Sequence, residues 1–368
     1  MAKVSRGFEK RDWLLVAAAA VLVTGYFGLG RFSVESKAPW YDEKLAASQL
    51  AQSAMASVKA EKLARGIPVD RDFDINETGM IGLRWSGMTT TLGVLEAKRT
   101  STNPDFAAVA VDLLKRCGAK EGDRVAVNLS GSFPALSLSV LSAAEVLNLR
   151  PVVIASLGAS MWGANDPVFT WLDIERVVRE SKLIRSGTFA ASLGGALDVG
   201  KDMDDEVRER LRTRIRAANV VFIEEPDFEK NLAQRMTLYL ADGLPVCFIN
   251  VGGNLTSGGA EVDSGALRPG LMRSLDDAGT HIGGLIRAFL ERKVPVIHLL
   301  DLKAVAAATG LPYDPVPLPA PGSGGIFRAM QVNRGYVAVL LALASVLLVG
   351  YVRLGGKKAR SSGKARAF

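Results

Sequence analysis

The chain has 368 residues, 48% of them apolar, which is enough for one large domain or two with a sizeable core. Its formal charge of +7 sits at the ends: residues 1–12 carry four bases against two acids, residues 353–368 carry six bases and no acid, and the long middle is close to neutral. A near-neutral body with no zinc or RNA-binding signature argues against a nucleic-acid partner.

Residues 1–12 read as a cytoplasmic tail. Trp13–Gly30 follows without a charge, and Tyr336–Val352 is a second uncharged segment. Each has about the length that crosses a bilayer core of roughly 30 Å. Trp13, Tyr26 and Phe27 mark the edges of the first, and Tyr336 and Tyr351 those of the second, as interfacial aromatics do. A cleaved signal peptide competes for the first segment, but no small-x-small cleavage pattern follows Gly30 directly, so retention is expected. Gly25, Gly28 and Gly30 would let another helix approach closely. Bases cluster before the first segment and after the second. The positive-inside rule then predicts a two-pass protein of the inner membrane, both termini cytoplasmic and the main domain extracytoplasmic.

Residues 31–79 hold a membrane-proximal helix and connector. Ala38–Gly66 is Ala-rich, built from good helix formers and stopped at Gly66. Met80–Thr102 reads as a strand or a loop over a sheet edge. Within it Lys98 and Arg99 lie in a Thr/Ser-rich strip. Together they are a candidate carboxylate clamp, although solvated surface charges are the plainer reading. Asn103-Pro104-Asp105 then opens a helix.

From there apolar runs alternate with helical patterns. The runs are Val125–Leu129, Val152–Ser156, Val220–Ile223, Val246–Val251 and Val294–Leu300. The helices are Pro134–Leu149, Trp171–Leu183, Asp205–Ala218, Phe228–Leu240 and His281–Arg292. Short Val/Ile runs with intervening helices predict an α/β fold, a doubly wound, mostly parallel sheet covering residues 80–311. Residues 312–334 are Pro- and Gly-rich and predict an extended tether. The second span covers 335–352, and 353–368 is the basic tail.

Ligands of such sheets bind beyond the strand C-termini. Those ends are rich in small polar residues here: "NLSGSF", "ASLGAS", "NVGGNLTSGG" and, by resemblance to them, "AASLGGALDVG". Asn128, Ser130, Gly131, Ser132, Ser156, Gly158 and Ser160, with Lys98 and Arg99, are therefore the candidate binding residues for a carboxylate or amide ligand. The plainer reading of any one loop is a tight turn. Neither Ser130 nor Ser132 sits in a G-x-S-x-G elbow. Pro134 suits the first turn of a helix that either serine caps. A serine hydrolase would draw on Ser132, His298 and Asp301, while His281 reads as a helix-start residue. No metal, nucleotide or other cofactor motif is present. Cys117 and Cys247 lie in apolar settings, where a bonded pair and two core thiols both fit.

The stretches "TTTLGVLEAKRTSTNP", "SGSFPAL", "SLGASMWGAN" and "FTWLDIE" resemble the poly-gamma-glutamate system protein family. The resemblance spans roughly Met80 to Asp301. It implies a bacterial envelope protein, associated with capsule-type polymer, that works beside the membrane subunits making and exporting poly-γ-glutamate. It carries over no catalytic residues. The expected function is thus a membrane-anchored accessory factor that binds emerging polymer or synthase subunits. The alternative is a serine-type hydrolase or γ-glutamyl transferase acting on that polymer.

Overall fold

The computed structural model describes residues 9, 11–259, 267–278 and 282–364. In chain order its elements are α1 (Asp12–Gly28), β1 (Ser33–Lys37), α2 (Tyr41–Ala64), β2 (Thr89–Thr91), α3 (Leu95–Ser101), α4 (Phe106–Arg116), β3 (Arg124–Ser130), α5 (Pro134–Val146), β4 (Arg150–Ser156), β5 (Ala159–Ser160), α6 (Trp171–Glu180), β6 (Thr188–Ser192), α7 (Asp205–Ala217), β7 (Val221–Ile223), α8 (Phe228–Leu240), β8 (Phe248–Val251), α9 (Leu255–Gly258), β9 (Gly270–Met272), α10 (Leu275–Ala278), α11 (Gly284–Glu291), β10 (Val296–Leu299), α12 (Leu302–Thr309), β11 (Arg328–Val332) and α13 (Arg334–Lys364). The chain divides into two compact units, Met1–Lys37 with Arg328–Phe368, and Ala38–Phe327.

In the first unit, β1 and β11 form an antiparallel ribbon. Helices α1 and α13 run in opposite directions, with Tyr336 Oη donating to the Gly25 carbonyl at 3.2 Å and Leu14 reaching Gly350. Gly25 and Gly28 permit that approach, since a Cβ on them would strike Leu340 and Tyr336; Gly30 faces open space. Of the two expected spans, only Arg334–Leu354 is long and apolar enough to cross a membrane. Helix α1 is apolar but ends at Gly28 after 17 residues. It is about 25 Å long, just short of a bilayer core.

The second unit is the expected α/β fold. Its seven strands lie in the order β7-β6-β4-β3-β8-β10-β9. All neighbours are parallel except β9, which runs antiparallel to β10 at the edge. Alternate residues enter opposite cores. Val125, Val127 and Leu129 of β3 pack beneath α5 and its neighbours, and Ala126 faces the core under α8 and α11. From β3 the chain winds outward through β4, β6 and β7, then returns to place β8 on the other side of β3. The connections therefore diverge between β3 and β8.

Helix α2 belongs to this unit: Ala47, Ala51, Ala54 and Val58 lie on one face at helical spacing and are fully buried. The proline-rich stretch expected as a tether is held along the body. Asp105 accepts from the amides of Gly322 and Gly324, and Asn76 donates to the Pro315 carbonyl. Arg99 pairs with Asp314 through two hydrogen bonds of 2.7 and 2.5 Å. Cys117 and Cys247 are free thiols. His281 lies outside the described residues.

Candidate functional site

The polar groups gather at the β3/β8 crevice, where diverging connections leave space beyond the strand C-termini. Strand alternation decides which side chains arrive there. On the α8 face, β3 presents Ala126, then Asn128, then Ser130. Register places Asn128 beside Asn250 of β8, and Asn250 beside His298 of β10. One pleat further on, Ser130 lies beside Ser156 of β4, and Ser156 beside Ser192 of β6. Two rows of buried polar residues thus cross a sheet that is otherwise apolar on this face.

Burial obliges these groups to bond one another. Asn128 Nδ2 donates to Asn250 Oδ1 at 2.9 Å and to Asn254 Oδ1 at 3.1 Å. Asn250 Nδ2 lies 3.0 Å from His298 Nδ1. Helix α8 contributes Arg235, which is fully buried. Its guanidinium donates to Asp198 Oδ2 at 2.6 Å, Ser192 Oγ at 2.8 Å, Asn231 Oδ1 at 2.9 Å and Asn128 Oδ1 at 3.2 Å. Asp198 also accepts from Ser192 Oγ at 2.8 Å and Asn231 Nδ2 at 3.0 Å. The Arg235–Asp198 pair is therefore enclosed by hydrogen-bond partners.

Above this network lies a cavity of about 290 Å³. Ser130, Ser156 and Asp198 face it from the sheet side, Thr90 and Thr91 from β2, and Asn254 from the loop after β8. Ser132 and Gly158 also line it. Two buried polar atoms of its lining residues, Ser130 Oγ and Asn254 Nδ2, have no hydrogen-bond partner among the described residues. Gly252 is essential here: its φ is +88°, and a Cβ would run into Ser130 Oγ.

Lys98 and Ser160 sit behind the wall formed by Ser132. Lys98 Nζ donates to Ser160 Oγ at 2.6 Å and to the Ser132 carbonyl, and lies 3.9 Å from the centre of the Phe133 ring. The Ser160 amide donates to Ser132 Oγ at 3.0 Å. No carboxylate pairs with Lys98 among the described residues. Burial pushes its ammonium down to about 7.

Of the residues singled out from sequence, Ser130, Ser132, Ser156 and Gly158 meet around the cavity. Asn128 lies beneath them. The Gly131 amide closes the end of β3 by donating to the Ser156 carbonyl at 2.9 Å. Lys98 and Ser160 are a contacting pair. The solvated reading of Lys98 is corrected by its 2% exposure. Arg99 is engaged with Asp314. Ser132, His298 and Asp301 are each directed to other partners: Ser132 to the Ser160 amide, His298 to Asn250, and Asp301 to the Ala304 amide as the cap of α12. Sequence reasoning missed Arg235, Asn231 and Thr90. Arg235 had a signal, since it shares a helical face with Asn231 and Tyr239, both buried.

A larger cavity of about 770 Å³ lies between α6 and α7. Of its bases, Arg176 pairs with Glu61 and Glu180, Arg185 with Glu145, and Arg214 with Asp173, while Arg179 and Lys182 are exposed in its lining. It lies by Thr188 and Val220, at the N-terminal ends of β6 and β7, away from the β3/β8 crevice. Comparison with family models, curated proteins and solved structures finds no match to this chain.

Two outcomes follow from the buried charges. Arg235→Met should cost about 3–5 kcal/mol by stranding Asp198, and adding Asp198→Asn should recover much of it; urea unfolding of the two variants measures the difference. Lys98 should make stability depend on pH. The unfolded chain holds its proton up to the ordinary lysine range, and the folded state releases it near 7. Between those limits the unfolded state binds more protons, so stability rises with pH. The unfolding free energy of Lys98→Met, followed from pH 7 to 10, should lack that part of the rise; curves parallel to the parent's would show that Lys98 titrates normally.

Proposed function

We propose that this chain is a membrane-anchored accessory factor of poly-γ-glutamate synthesis or export, and that its α/β unit holds the end of a γ-glutamyl chain at the β3/β8 crevice. The observation that carries the reading is that two residues lining the cavity, Ser130 and Asn254, hold buried polar atoms, Oγ and Nδ2, with no hydrogen-bond partner among the described residues. A buried polar group without a partner costs about 1–3 kcal/mol. A ligand that supplies the partners recovers that energy. The hydroxyls of Thr90, Thr91, Ser130 and Ser132 and the Asn254 amide suit carboxylate and amide groups, the two functions a γ-glutamyl chain repeats. The volume suits a chain end more than a length of polymer. Resemblance in sequence supplies the choice of polymer.

Anchoring belongs to the same proposal. Helix α13 has the length and composition of a span. Helix α1 packs against it and leaves Val23 and Phe27 exposed, which favours lipid around both. With the basic tails in the cytoplasm, the α/β unit lies on the side where exported polymer emerges. Synthase or export subunits in the membrane are the natural neighbours of such a hairpin.

Full-length protein in detergent should bind γ-glutamyl oligomers saturably in calorimetry. Changing Ser130 and Ser132 together to Ala should weaken that binding about tenfold, the loss of one good hydrogen bond; equal affinity would remove the crevice from the reading. Protease added to intact spheroplasts should digest the α/β unit, and a body that survives while reporters on the termini prove exported would reverse the topology.

A further inference from the structure

Lys98 and Ser160 pose a question that ligand binding leaves unanswered. A lysine at 2% exposure with no acid beside it among the described residues is costly. Its neighbours are the Ser160 hydroxyl, the Ser132 carbonyl and the Phe133 ring. Gly93 passes over the side chain, and a Cβ there would sit 3.3 Å from Lys98 Cε, so the amine is closed off from that side as well. A lysine that only strapped two loops together would work equally well as a solvated cation at the rim. Full enclosure instead favours the neutral amine, which accepts a proton.

The hydroxyl that this amine meets is fixed from several directions. Strand β5 pairs with β2, so Ser160 is opposite Thr91. The Ser160 amide is held by Ser132 Oγ. Thr91, Ser132 and Gly158 all line the 290 Å³ cavity, so Ser160 stands directly behind its wall. Ser130, whose buried hydroxyl has no partner among the described residues, belongs to the lining of the same cavity.

We propose that Ser160 is a nucleophile and Lys98 its general base, a serine–lysine pair that cleaves or transfers the amide bond of a chain end held in the cavity. This rests on the γ-glutamyl reading for its substrate, though not for its chemistry. Ser160 Oγ attacks the amide carbonyl carbon and its proton passes to Lys98 Nζ. The C–N bond breaks, and the Lys98 ammonium returns that proton to the departing nitrogen, leaving an acyl ester on Ser160. Water, or the amine of a second chain end, then attacks the ester with Lys98 again taking the proton. The C–O bond to Ser160 breaks, and Ser160 Oγ recovers its hydrogen. The sum is amide plus water to acid plus amine, or amide exchange, with no redox partner. The Ser132/His298/Asp301 arrangement plays no part in it.

The test uses the full chain in detergent, a fluorophosphonate probe and γ-glutamyl oligomers. The probe should label Ser160, identified by peptide mass spectrometry, and labelling should rise with pH through about 7. Oligomers should be shortened or exchanged. Ser160→Ala should abolish labelling and lower turnover on the order of 10²- to 10⁴-fold, with oligomer affinity within twofold of the parent. Lys98→Met supplies no base and buries no charge, so it should lose turnover by a similar factor while still unfolding cooperatively in urea. A strap role alone predicts that Lys98→Met changes nothing but stability. Oligomer binding with neither labelling nor turnover overturns the pair and leaves the binding reading intact. Labelling of Ser160 without oligomer binding supports the pair and overturns the γ-glutamyl substrate.

Discussion

Alternation along the parallel strands is the constraint on which the rest depends. A strand buried on both faces has no solvent side on which to set its polar residues. Asn128, Ser130, Ser156, Ser192, Asn250 and His298 therefore arrive inside, on the α8 face, and must be satisfied there. Arg235 and Asp198 are the means. The guanidinium presents its donors in a fixed fork and reaches four acceptors from the two polar rows and their surroundings. Its charge requires Asp198, and Asp198 in turn draws in Ser192 and Asn231. The floor of the crevice is consequently cross-linked by hydrogen bonds, and among the described residues Ser130 Oγ and Asn254 Nδ2 are the buried atoms of the cavity lining left without a partner.

Size and chemistry point to different cavities. The larger one between α6 and α7 is lined mainly by bases that carboxylates already pair, with Arg179 and Lys182 exposed among them. The smaller one is lined by hydroxyls, an amide and the carboxylates of Asp198 and Asp202, and its Ser130 Oγ and Asn254 Nδ2 have no partner among the described residues. Its location where the strand connections diverge gives a second, topological reason for preferring it.

Much of the fold was legible in the residues. Runs such as Val125–Leu129 and Val246–Val251 are short and mostly apolar, each broken only by one asparagine, and each falls on a central parallel strand. Strand β6 was hidden, because "TFAAS" has little of that composition and runs directly into a glycine turn. Strand β9 is three residues at an edge, too short for any period to register. Of the small-residue strand ends, Ser130, Ser132, Ser156 and Gly158 line the cavity. They were silent about Arg235, whose place depends on which face α8 turns inward. Lys98 was misjudged for a similar reason: a base in a polar strip looks solvated until the β2–β5 pairing closes over it. The length of the first span was the other difference, since Leu29 and Gly30 fall outside α1 and leave it at the lower limit of what a bilayer needs.

The start and finish of the α/β unit adjoin. The Ala38 amide donates to the Phe327 carbonyl at 2.9 Å, closing nearly three hundred intervening residues into a loop with a single neck. A module built this way can be cut from the rest of the chain without leaving two distant ragged ends. Grafting onto an unrelated chain, or rearrangement that opens new ends elsewhere, would leave the seven-stranded core uncut.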